Sequence, residues 1–168
     1  MDQAPIPLLD TKTRQRFAKP LGLIPQSMFI MTSADDHRMR SLLVSWVQQV
    51  SFEPPMIVVC LRKGREIVPL IHESRSFALN QIAHDDRLLM KKYGENERSE
   101  EPLIVLETCR KATGSPIIAR AVAYMDCELV RHVDIDGDHD LYVGMVRDAG
   151  MLNHGVINVH MREDGFTY

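Results

Sequence analysis

The residues from Ala121 to Met145 constrain the fold more than any other stretch of the chain. Ala121, Ala123, Met125, Cys127 and Leu129 alternate with Val122, Tyr124, Asp126, Glu128 and Val130, the period of two by which a strand sends successive side chains to opposite faces. Asp136-Gly137-Asp138 then supplies a turn, and Leu141, Val143 and Met145 share one face of a returning strand. The segment reads as a hairpin with one apolar and one mixed face.

Further strands are expected at Ile24 to Thr32, Leu42 to Val50, Met56 to Leu61 and Ser76 to Ile82. Ser33 to Arg38 forms a charged turn between the first two, and Pro54-Pro55 separates the next two. Proline has no N–H to donate to a ladder, so the strand after that break starts at Met56. Two short helices are expected, one over Glu66 to Glu73 with Pro69 early in it, the other with Asp85 and Asp86 as N-cap and first-turn acid and Gly94 as its stop. Glu95 to Glu101 reads as an exposed loop. Many strands with only two short helices, and no alternating strand-helix repeat, favour a closed antiparallel barrel over a doubly wound sheet. Residues 1–20 show little periodicity and read as an N-terminal surface arm, which leaves 21–168 as one domain.

The 168 residues suffice for one domain, and the net charge of -3, from 20 basic and 23 acidic residues, gives no overall positive field for nucleic acid or an anionic membrane. The N-terminus lacks the pattern of a signal peptide. The longest apolar run, Met56 to Leu61, is far short of the roughly 20 residues of a membrane helix. Cys60, Cys109 and Cys127 are odd in number and lack CxxC spacing, so reduced thiols and a cytoplasmic setting are expected.

Val44 to Pro55 and Met56 to Arg65 carry the chemistry. Hydroxyl and amide side chains lie near one end of this strand pair, and Arg62, Lys63 and Arg65 surround Gly64 at the other. That arrangement suits a flat ligand bearing a phosphate, which the cations would meet by charge-assisted hydrogen bonds. No HExxH, Walker loop or GxGxxG is present, and no metal is expected. The acid cluster Asp134-Ile135-Asp136-Gly137-Asp138 misplaces the glycine of a calcium loop and has Met145 in place of its final Glu. The histidines show no spacing of a hydrolytic triad.

Five pieces in register resemble the flavin reductase family, whose fold is the FMN-binding split barrel. They are Val44-Ser45-Trp46 with Gln49 to Pro55, Arg62 to Arg65, Ser76 to Asn80, Ala121 to Cys127, and Gly137-Asp138-His139 with Leu141 to Gly144. The Ser-Trp pair and the Lys-Gly-Arg loop look closer to its flavoredoxin-like branch. The resemblance implies a mainly β fold with short helices and a homodimer with a flavin near each subunit boundary. Val44, Ser45, Trp46, Val47, Gln49, Ser51 and Asn80 would lie along the flavin, and Arg62, Lys63 and Arg65 would hold its phosphate. His139 would face the flavin cavity in a chemical role. NADH or NADPH would donate electrons, leaving to free flavin, a ferric chelate, a redox protein or oxygen. An electron carrier without a nicotinamide site and a haem-binding split barrel are the alternatives. This chain reads Arg40-Ser41-Leu42-Leu43 where many members have a glycine, and Gln48 and Gln49 where Ser or Thr is common, so FAD stays open beside FMN.

Overall fold

A computed structural model describes residues 8–94 and 106–167; the expected loop at Glu95 to Glu101 lies outside them. The strands are β1 (Gln26–Ser27), β2 (Phe29–Ala34), β3 (Met39–Val44), β4 (Val47–Ser51), β5 (Met56–Arg62), β6 (Ser76–Gln81), β7 (Thr108–Arg110), β8 (Pro116–Ile118), β9 (Ala123–Asp134), β10 (His139–Met151) and β11 (Val159–His160). The helices are α1 (Thr11–Gly22), α2 (Ile67–Ser74) and α3 (Arg87–Gly94). The chain forms two compact units, one of Met1–Gln26 with Val159–Tyr168, the other of Ser27–Asn158.

In the smaller unit a helix, α1, occupies the second half of the stretch read as an arm. Asp10 caps it by accepting from the Thr13 N–H at 3.0 Å. The C-terminal segment clasps it, with Arg162 N–H donating to the Gly22 carbonyl at 3.2 Å and Gly165 N–H to that of Ala18 at 2.8 Å. Approach is close enough that a Cβ on Gly22 would lie 2.6 Å from the Arg162 carbonyl oxygen. A helix held by residues 140 positions away leaves little local signal.

The larger unit is a seven-stranded antiparallel sheet in the order β3-β2-β6-β9-β10-β5-β4. Its two edges, β3 and β4, are joined through Ser45 and Trp46 alone. Three Cα steps span at most about 11 Å, so the sheet must roll until its edges nearly meet. That short joint splits what the sequence suggested was one strand from Leu42 to Val50.

The inner face buries Phe29, Met31, Leu42, Val44, Val59, Phe77, Leu79, Cys127, Leu129 and Tyr142. Into it α2 inserts Ile67 and Ile71, four apart and therefore on one helix face. Gly144 is required there because a Cβ would meet the Phe77 ring at 2.5 Å, next to the register shift at Val143/Gly144.

The outer face is also covered. Ile30 and Ile82 pack with Leu89 and Tyr93 of α3 and with Ile118 of β8, and Asp86 caps α3 by accepting from Leu89 N–H at 3.0 Å. The mixed face of β9 is thus not a solvent face. Asp126 is fully buried and accepts from the Thr113 N–H at 2.9 Å and from its hydroxyl.

Candidate functional site

Antiparallel pairing of β5 with β10 sets His139 opposite Arg62. Just beyond, Lys63 N–H donates to the Asp138 carbonyl at 3.0 Å, and Cys60 N–H donates to that of Trp46 at 3.0 Å. These bonds gather Trp46, the Arg62–Arg65 loop and His139 at one end of the β4-β5-β10 ribbon. The rings of Trp46 and His139 are 4.6 Å apart, tilted by 30°.

His139 is only 7% exposed despite its acidic turn. Its Nδ1 lies 2.8 Å from Asp138 Oδ1. That bond, followed by the charge of His139, holds the Asp138 carboxyl below its usual range. An ionised carboxylate accepts only, so Nδ1 carries the proton of the pair.

Gly64 has φ +83°, with nothing within 4 Å of the place a Cβ would occupy. Glycine takes this left-handed conformation without strain, and the loop bends there with open space beside Gly64. Arg62 is exposed and Arg65 half-buried. Lys63 is engaged elsewhere than the resemblance implies: Nζ lies 2.8 Å from Asp134 Oδ1 and 3.6 Å from Asp140 Oδ1. Its bond to Asp134 raises the ammonium's pKa and lowers that of the carboxyl. Most of its charge is therefore answered within the protein.

Behind the loop lies a cluster that the sequence did not reveal. Asp140 is buried, its Oδ2 3.1 Å from His132 Nε2, and its Oδ1 has no hydrogen-bond partner among the described residues. The His132 ring stacks on Tyr142 at 4.7 Å, and His72 of α2 meets it edge-on at 5.1 Å. Burial, then Asp140, pushes the Tyr142 phenol up to about 12.

The remaining expected residues separate. Ser45 and Trp46 are half-buried at the rim, whereas Val44 and Val47 turn their side chains into or against the core. Those two can meet a ligand only through backbone. Gln49 is exposed on edge strand β4, its Nε2 donating to the Ser51 carbonyl at 3.1 Å, with Ser51 half-buried beside it. Asn80 is bonded within the fold. It is 1% exposed, Nδ2 donates to the Ile30 carbonyl and the Thr32 hydroxyl, and Oδ1 accepts from Ile118 N–H. The side chain ties β2 and β8 to β6 and has no donor left for a flavin.

Among the described residues no group of three or more His, Cys, Asp or Glu is placed to hold a metal ion, and no helix is long and apolar enough to cross a membrane. An aromatic rim of Trp46 and His139 beside a glycine-bent cation loop fits a planar ring with an anionic tail.

Residues 21–164 match the family described as flavin reductase like domain. The chain belongs to that family. Similar sequences include a putative diflavin flavoprotein A 6 of Nostoc sp., 29% identical over 88% of this chain and 26% of that protein. A putative diflavin flavoprotein A 1 of Thermosynechococcus vestitus is 30% identical over 89% of this chain and 27% of its own length. The chain thus spans about a quarter of the curated relatives it matches. Two solved structures share the fold. A nitrilotriacetate monooxygenase component B homologue from Mycobacterium thermoresistibile has a TM-score of 0.79 at 20% identity, covering 92% of this chain and 86% of its own. An NADH:FAD oxidoreductase from Streptomyces globisporus has a TM-score of 0.78 at 20% identity, with 95% and 96% covered.

Proposed function

We propose that the chain binds FMN at the Trp46–His139 rim and passes electrons from NADH or NADPH to a second acceptor. The observation that carries this reading is the 4.6 Å ring pair, set beside the Gly64 bend and its cations. Ser45, Gln49, Ser51 and the backbone of Val44 and Val47 are the groups suited to orient the ring and ribityl chain. Arg62 and Arg65 are the cations suited to the phosphate, with Lys63 secondary because Asp134 and Asp140 compete for it.

When bound, a flavin supplies hydride acceptance and one- or two-electron release, and the protein supplies position, electrostatics and access. His139, its Nδ1 proton held by Asp138, is the side chain suited to orient a nicotinamide amide or to stabilise negative charge on the ring. Candidate acceptors are free flavin, a ferric chelate, a redox protein and oxygen. Val50 and Phe52, the latter 91% exposed, give the β4 end an apolar surface for a second copy of the chain in a homodimer. The free thiols Cys60, Cys109 and Cys127 suit a reducing, cytoplasmic setting.

Anaerobic mixing of FMN-loaded protein with NADH or NADPH tests the proposal through loss of the flavin's visible absorbance. Bleaching by either is expected, and His139→Ala should slow it about 10- to 100-fold, or roughly 1.4 to 2.7 kcal/mol of transition-state stabilisation. FMN bound but bleached by neither donor would reassign the chain to electron carriage from another protein.

A further inference from the structure

Two strands bring acids up behind the cation loop. The register of β9 with β10 sets Asp134 opposite Asp140 and His132 opposite Tyr142. Residues two apart share a sheet face, so these cross-strand pairs lie side by side on one face. Like charges directly opposite each other repel, and a cation of the loop bridges the two acids. Lys63 Nζ lies 2.8 Å from Asp134 Oδ1 and 3.6 Å from Asp140 Oδ1. One ammonium thus answers two carboxylates, which leaves an excess negative charge beside the loop.

The excess weighs most on Asp140. Its side chain is 11% exposed, against 57% for Asp134, and its Oδ1 has no hydrogen-bond partner among the described residues. A buried charge needs pairing and hydrogen bonds. The group placed to add a second cation is His132, whose Nε2 is 3.1 Å from Asp140 Oδ2 and whose side chain, 33% exposed, can exchange protons with solvent. Its stack on Tyr142, 4.7 Å between rings and 9° from parallel, fixes its orientation.

The groups that face His132 come from several elements. From β10, Asp140 favours its charged form, and the Tyr142 phenol, pushed up to about 12, stays neutral. Asp134, on the same strand, also favours it, and the charge of His132 is among the causes that hold the Asp134 carboxyl below its usual range. Lys63 from the loop and His72 from α2 oppose it. The His72 pKa is lowered by burial, then by His132 and Arg75, so His72 is the member of the histidine pair that stays neutral.

We propose that His132 and Asp140 make the loop's hold on a phosphate depend on pH. A proton taken up by His132 cancels the excess negative charge, loosens the claim of Asp140 on Lys63 and leaves the loop a stronger anion site. Both residues act through Lys63 and are positioning residues. The inference rests on the flavin reading above. Affinity for a phosphate-bearing flavin then rises as pH falls, and by reciprocity a bound phosphate raises the proton affinity of His132.

Binding of FMN and riboflavin to the full chain at about pH 8 and about pH 5.5, the range in which histidine titrates, tests this by flavin fluorescence. The comparison is with His132→Gln, whose amide can donate to Asp140 but takes up no proton. His139 and the FMN phosphate, which loses its second proton near about pH 6, titrate in both proteins and cancel. Wild type should bind FMN about 3- to 10-fold more tightly than His132→Gln at the lower pH, roughly 0.7 to 1.4 kcal/mol, and equally at the higher. Riboflavin should not distinguish the two. Asp140→Asn should tighten FMN at the higher pH, a gain that misfolding cannot mimic. The His132 ring, followed by NMR, should titrate at higher pH with FMN bound than with riboflavin bound, a shift that a merely structural role would not produce.

The same ratio of FMN affinities between wild type and His132→Gln at both pH values, or riboflavin changing in step with FMN, overturns the inference. A wild type that gives the first result and still prefers FMN to riboflavin keeps the flavin reading and removes only its control by pH. A wild type that binds neither compound removes both.

Discussion

Two glycines provide a matched test of the cation loop. Gly64 and Gly114 have φ +83° and +81°, and at each an added Cβ would meet nothing within 4 Å. Alanine at either position therefore brings no steric clash, and the whole penalty is backbone strain, about 1 to 2 kcal/mol for a left-handed non-glycine residue. Part is offset because alanine also restricts the unfolded chain, by about 0.4 to 1 kcal/mol. A net loss of about 1 kcal/mol corresponds to a fall in Tm of roughly 2 to 4 °C for a chain of this size. Thermal unfolding followed by circular dichroism, without flavin, should show similar falls for Gly64→Ala and Gly114→Ala. Flavin binding should separate them. Only Gly64 bends the Arg62–Arg65 loop, so relief of strain there displaces cations, and FMN should weaken by about half to one order of magnitude, roughly 0.7 to 1.4 kcal/mol. Riboflavin affinity should hold in both variants. Equal loss of FMN affinity in the two, or loss of riboflavin in step with FMN, would falsify the assignment of the loop to phosphate.

Two further outcomes follow from ionisation. Burial, followed by the charge of Asp126, pushes the Cys127 thiol up to about 12, so alkylation at pH 8 should label exposed Cys109 quickly and Cys127 only on unfolding; fast labelling of Cys127 in mass spectra would contradict the packing. Burial, then His132 and Arg75, lowers the His72 pKa, so the unfolded state binds the proton more readily. Stability is then full above the unfolded value of about 6.5, falls as pH drops from there toward the folded value, and levels below it. His72→Gln should flatten that decline in chemical denaturation between about pH 6.5 and 5, and an unchanged slope would discharge His72.

Much of the sheet was legible because its signals are local. Alternation through Cys127 and Leu129 gave the β9–β10 hairpin, Pro54-Pro55 set the start of β5 at Met56, and Asp85-Asp86 marked the start of α3, although Asp86, expected as the first-turn acid, is the side chain that caps it. Other features depend on partners distant in sequence. The helix α1 contains Pro20 and is clasped by residues near the C-terminus. Asp126, on the mixed face of its strand, is buried because Thr113, distant in sequence, bonds over it. At the site, Trp46 and His139 were recognisable from motif, but the registers that pair Lys63 with Asp134 and His132 with Asp140 pass through turns and a bulge that alternation does not locate. Asn80 sits in a piece of the family pattern, yet its amide is used to join three strands. A motif position alone does not separate a residue that holds a ligand from one that holds the fold.

Trp46 offers the most direct measurement, because it is the chain's one tryptophan and lies 4.6 Å from His139 at the proposed flavin rim. Its emission can be followed while FMN is added to the apoprotein. Saturable, near-complete quenching with one FMN per chain is expected, in parallel with quenching of the flavin's own fluorescence. Flavin bound with Trp46 emission unchanged would place the cofactor elsewhere, and no saturable binding at all would contradict the account.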